Sequence, residues 1–167
     1  MTWASFWVDF GPLVQTAAFV ISAFAAVFLI HHNGKLAKKR ALIDLIIQQR
    51  SDQDLNLSLR RVYALADESK PLSRFVTVAE DASEEFNVDR SHILKVLNNQ
   101  EFIAVGIRMG AFDESVYKEL QCSNVRKLWQ ATSGFVYELR KVENKKTIFQ
   151  DLEHLAHKWD KKPIKQL

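Results

Sequence analysis

The chain of 167 residues has one cysteine, Cys122, five glycines and three prolines. A lone cysteine closes no intrachain bridge, which excludes a disulfide-stapled scaffold and fits a reducing compartment. Five glycines leave little room for a phosphate-cradling loop, and GxSxG, CxxC and HExxH are all missing. Polar low-complexity tracts are missing too, which excludes a disordered or collagen-like chain. No strand alternation, hairpin signal or internal repeat stands out, so an all-α fold remains. Charge of one sign is scarce where it would matter for nucleic acid. The net charge of +3 sits in the first forty residues, as Lys35, Lys38, Lys39 and Arg40 against Asp9. Residues 41–167 are neutral, so no direct nucleic-acid binding is expected.

What is present is an apolar run. Leu13 to Ile30 is free of formal charge and has only Gln15, Thr16 and Ser22 as polar members. Reaching back to Phe10, it matches the ~20 residues that cross a hydrocarbon core. Trp3, Phe6, Trp7 and Phe10 precede it as an interfacial belt, and HHNGKLAKKR follows it. A secretory signal peptide would carry its cations before the run, not after it. The cations at 35–40 put the C-terminal side in the cytoplasm by the positive-inside rule. They are also placed to meet anionic headgroups. Gln15, Ala18, Ser22 and Ala26 share one stripe at helical spacing. Small residues there suit a close contact between two transmembrane helices, and chance spacing in an alanine-rich run explains them equally well.

The organisation expected is a short extracytoplasmic N-terminus (1–12), a transmembrane helix (13–30), a basic juxtamembrane segment (31–40) and a cytoplasmic helical domain (41–167). About five to six helices make up that domain, which is large enough to bury roughly two thirds of its unfolded surface. Residues 13–50 read either as one rod of about 57 Å at 1.5 Å rise per residue or as two helices broken at Asn33-Gly34. Ser51-Asp52 caps the next helix, up to about Glu68, and Lys70-Pro71 ends it. Between Leu72 and Asn87 an acidic cluster (Glu80, Asp81, Glu84, Glu85) reads as a solvated face. Asp89-Arg90-Ser91 opens a central helix, apolar in almost every direction from Ile93 to Met109, with Gly110 as its C-terminal cap. Asp113 starts a short helix through Leu120. Ser123 starts a long one with Val125, Leu128, Trp129, Thr132, Val136, Leu139 and Val142 at three-four spacing. Thr147 caps a last helix with Leu152, Leu155 and Trp159 on its core face.

Two constellations invite a chemical reading. His154 and His157 lie three apart, a metal-ligand spacing, yet no further ligand completes a site and the core stripe turns them outward. Glu101 falls on the stripe Leu94, Leu97, Ala104, Arg108 of the most apolar helix. A carboxylate there must be paired or protonated. Arg108 is one candidate; Arg60, Arg61, Arg126 and Arg140 are equally open. A structural ion pair, with Glu101 and Arg108 as the candidate residues, is favoured over a catalytic carboxylate, because no second acid, base or nucleophile sits nearby in sequence.

LNNQEFIAVGIRMGAFDESVYKE (Leu97 to Glu119), Trp129, Arg140 and FQDLEHLAHKW (Phe149 to Trp159) resemble a family of small bacterial membrane proteins. That family is known as a domain of unknown function. Asn98, Glu101, Phe102 and Gly106 match its most specific run, and Gln100 departs from it where an aromatic residue is usual. The resemblance implies a bacterial inner-membrane protein with one N-terminal transmembrane helix and no established activity. Together these readings lead to a non-enzymatic, membrane-anchored interaction module, without catalytic, cofactor-binding or metal residues. Its partners would be the lipid bilayer and either a second copy or a cytoplasmic protein. The alternative is a membrane-acting effector, of phage-defence or toxin type, that oligomerises through its transmembrane helix and disrupts the bilayer.

Overall fold

The computed structural model describes residues 3–68, 70–77 and 82–164, with side chains from residue 13 onward. The rings of Trp3, Phe6, Trp7 and Phe10, and the acidic pair Glu80 and Asp81, lie outside the described residues. Five α-helices and one 3₁₀ turn follow one another, with no strand among the described residues. They are α1 (Trp3–Ser51), α2 (Gln53–Asp67), the 3₁₀ turn (Leu72–Phe75), α3 (Glu84–Arg108), α4 (Glu114–Val142) and α5 (Gln150–Lys161). The chain is all-α, as its periodicity predicts.

Two compact units divide it, Met1–Lys38 and Lys39–Leu167. In the first, every residue from 13 to 38 is solvent-exposed. Asn33 and Gly34 are helical, so of the two readings the unbroken helix is the one observed. The rings of Phe28 and His32 stack one turn apart, with centroids 6.1 Å from each other. This segment is long and apolar enough to cross a membrane.

The second unit closes its own core. The last turns of α1 contribute Leu42 and Ile46, and Val62 and Leu65 come from α2. Ile93, Val96, Leu97, Ile103 and Ile107 of α3 join Phe135 and Val136 of α4 and Leu152 and Trp159 of α5. Asp52 caps α2 by accepting the Leu55 N–H at 2.9 Å, as the Ser51-Asp52 pair suggests. Helix α3 begins earlier than Asp89. Ser83 caps it through the Phe86 N–H, and Glu84 and Glu85 suit its first turn. Asp89 is thereby carried inside the helix, where it is 5% exposed and held by Arg61 at 2.5 and 2.8 Å. The predicted all-round burial of α3 also fails on one side: Phe102 and Met109 are 60% and 73% exposed.

Met109 caps α3 at its C-terminus, and Gly110 follows at φ 70°, a left-handed position that glycine takes without strain. The short and long helices expected from Asp113 and Ser123 are one helix, α4, capped by Asp113. Nothing between Leu120 and Ser123 breaks it, because Cys122 is buried and Ser123 is tolerated on an exposed turn. Its predicted apolar stripe is buried from Val125 to Leu139, and Val142 is exposed.

Candidate functional site

Helix α5 starts without a local cap. Phe149, not Thr147, is its N-cap residue, in left-handed backbone at φ 54° and with a buried ring that accepts no hydrogen bond. The first-turn N–H groups must then be satisfied from elsewhere. Glu101 of α3 supplies both acceptors. Its Oε1 takes the Asp151 N–H at 3.2 Å and its Oε2 takes the Leu152 N–H at 2.7 Å. A negative carboxylate at the positive end of a helix is electrostatically matched as well as hydrogen-bonded. Desolvation by burial nonetheless dominates and pushes the Glu101 carboxyl above its usual range. The two backbone bonds and the Arg140 charge act against that rise, and the Asp151 carboxylate adds to it.

Arg108 does not pair with Glu101. It is exposed and binds Asp151 instead, Nε to Oδ1 at 2.7 Å. Arg140, at the end of α4, fixes the loop before α5 by donating from Nε to the Ile148 carbonyl at 2.8 Å. Its second nitrogen reaches Glu153 Oε2 at 2.7 Å. Its third is buried without a partner among the described residues. Burial would raise the Glu153 carboxyl, but hydrogen bonds from Arg140 and Tyr137 outweigh it and hold Glu153 below the usual range. Three helices are therefore tied at one point by Glu101, Arg108, Arg140 and the first turn of α5.

A groove of about 510 Å³ opens beside this point and is lined by Ala104, Arg108, Glu114, Asp151, His154 and Lys158 among others. Its charges are already matched within the chain. Lys158 Nζ and Trp159 Nε1 both donate to Glu114, at 2.7 and 3.1 Å. The side chains in its wall able to act as nucleophile or base are His154, Lys158, Glu114 and Asp151, the last three held in ion pairs. His154 sits in the groove wall and His157 lies outside it, against the Trp129 ring at 6.0 Å and near Glu153. Both histidines are exposed, as their positions off the core stripe predict. Gln15, Ala18, Ser22 and Ala26 lie on the exposed helical segment of the first unit. The groove and the capping role of Glu101 escape sequence reasoning; the missing polar cap at Phe149 is the local signal for the latter.

The architecture defines an all-α chain with a long apolar N-terminal helix and a helical bundle. Residues 12–159 match the family described as Domain of unknown function (DUF4760), and the chain belongs to that family. No curated protein and no solved structure matches it.

Proposed function

We propose that this chain is a non-enzymatic interaction module anchored in the bacterial inner membrane by residues 13–30. The N-terminus lies outside and the bundle lies in the cytoplasm. One observation carries the reading. Ten large apolar side chains between Leu13 and Ile30 are 49–73% exposed, although the bundle has closed a core of its own. Leaving such side chains in water costs roughly 1.5–3 kcal/mol each, and a bilayer removes that cost. The cations at 35–40 support the orientation. Phe102 on α3 and Met109 at its C-cap, two turns apart and exposed beside a satisfied core, support partner binding by the bundle.

The anchor also carries the stripe Gln15, Ala18, Ser22 and Ala26, along which two copies would associate. Membrane fractionation tests the reading. The protein should stay in the membrane pellet after an alkaline carbonate wash, and Ser22→Leu should reduce the oligomer recovered in mild detergent without releasing the protein. Release by carbonate would contradict an integral anchor. Dye entry into expressing cells, lost in Ser22→Leu, would favour the bilayer-disrupting effector instead.

A further inference from the structure

Six of the chain's sixteen Asn and Gln residues line one cavity of about 200 Å³ in the bundle: Gln49, Asn56, Asn99, Gln100, Gln121 and Asn124. They come from four different elements, α1 to α4. Among the described residues the cavity wall contains no acid, and Arg50 is its single cation. Ile46, Leu55, Leu59 and Val96 supply apolar surface between the amides.

The amides are oriented by one another, by Tyr117 and by backbone carbonyls. Tyr117, 1% exposed, donates its hydroxyl to Gln100 Oε1 at 2.8 Å, which leaves the Gln100 NH₂ unused. Gln49 Nε2 donates to Asn99 Oδ1 at 3.0 Å, and Asn124 Nδ2 donates to Gln121 Oε1 at 2.8 Å. Asn56 Nδ2 is directed to backbone carbonyls at the junction of α1 and α2, at 2.7 Å from that of Asp52 and 3.0 Å from that of Arg50. Among the described residues, three NH₂ groups (Asn99, Gln100, Gln121) and three carbonyl oxygens (Gln49, Asn56, Asn124) are left over. None of these atoms is a buried orphan, so they reach open space.

Neutral donors and acceptors interleaved at close range, between apolar walls, match a flat uncharged edge that itself alternates donors and acceptors. Asn and Gln read such edges on nucleobases by paired hydrogen bonds. A cavity below the usual 300–1,000 Å³ of ligand sites takes one such ring and not a larger molecule. We infer that this cavity binds the base of a mononucleotide, with the phosphate directed to Arg50. The inference is independent of where the chain resides.

The test uses the full chain in detergent, titrated calorimetrically and by thermal melting with AMP, GMP, CMP and UMP, with their nucleosides, and with inorganic phosphate. At least one mononucleotide should bind saturably and raise the melting temperature, and phosphate alone should not. Its nucleoside should bind more weakly, and Arg50→Gln should bring the nucleotide down to the nucleoside's affinity. Gln121→Met and, separately, Gln49→Met should weaken binding at least tenfold while keeping the wild-type circular dichroism. No binding by any of the four mononucleotides would overturn the proposal. An equal response to phosphate alone, or undiminished affinity in both methionine variants, would also overturn it. Equal affinity for nucleoside and nucleotide would overturn the role given to Arg50.

Discussion

Glu101 Oε2 and the Leu152 backbone N–H meet at 2.7 Å across 51 residues of sequence, so the helix that lacks a cap of its own is capped from the middle of α3. That contact fixes where α5 begins. With α5 in place, Trp159 packs on Tyr117 with ring centroids 5.7 Å apart, and Leu152 is fully buried.

Removing the carboxylate should loosen this junction. Losing an N-cap costs ~1 kcal/mol, and a half-buried N–H left unpaired adds about 1–3 kcal/mol. Glu101→Ala should therefore destabilise the bundle by about 2–4 kcal/mol. Glu101→Gln retains one acceptor and should cost less than half of that. Denaturant unfolding followed by fluorescence of the buried Trp129 and Trp159 measures both. Equal unfolding midpoints for the alanine variant and the wild type would show that the cap contributes nothing.

The same residue sets a pH signature. Burial holds its carboxyl above the ordinary glutamate value of 4.5, so the folded state binds this proton more tightly than the unfolded chain. Its contribution is then complete below about 4.5 and is lost as pH rises through the raised value. Wild type minus Glu101→Gln removes what the other groups contribute, including Glu153 and Glu114, whose lowered values oppose the trend. That difference in stability should grow on acidification from neutral pH and level off below 4.5. A difference that shrinks in acid would mean the ion, and not the acid form, is favoured by folding.

Gly106 is the second tight spot. A Cβ there would overlap the ring of Phe112, which folds back over the α3 terminus as the Ala111 and Phe112 N–H groups bond to the Gly106 carbonyl at 2.8 and 3.2 Å. Gly106→Ala should destabilise by about 1–3 kcal/mol through that overlap. In a Phe112→Ala background the same change should stabilise by about 0.5–1 kcal/mol, because alanine is the better helix former. Melting curves of the four proteins complete the cycle. The same sign in both backgrounds would rule out the ring as the cause.

Local chemistry made much of this fold legible. The apolar stripe from Val125 to Leu139, the Asp52 and Asp113 caps and the left-handed Gly110 all follow from short-range rules, and they occur where those rules put them. Local rules fail where the surroundings decide. Ser123 and Asp89 read as helix starts because both types favour caps, but one lies mid-helix on an exposed turn and the other is engaged by Arg61. Thr147 yields to Phe149 because the acceptor for α5 arrives from α3. The spacing of Glu101 and Arg108 suggested a mutual pair, whereas each turns to Asp151, one to its backbone and one to its carboxylate. The amide-lined cavity gathers residues from four elements, so no single stretch of sequence announces it.

The most direct test of the account is topology. Alkaline phosphatase, active only outside the cytoplasm, and a fluorescent protein that matures only inside it can each be fused after Leu167 and, separately, before Met1. The cations at Lys35, Lys38, Lys39 and Arg40 lead us to expect fluorescence without phosphatase activity at the C-terminus and the reverse at the N-terminus. Phosphatase activity at the C-terminus, or fluorescence at both ends with the protein in the soluble fraction, would contradict the anchored, cytoplasm-facing bundle.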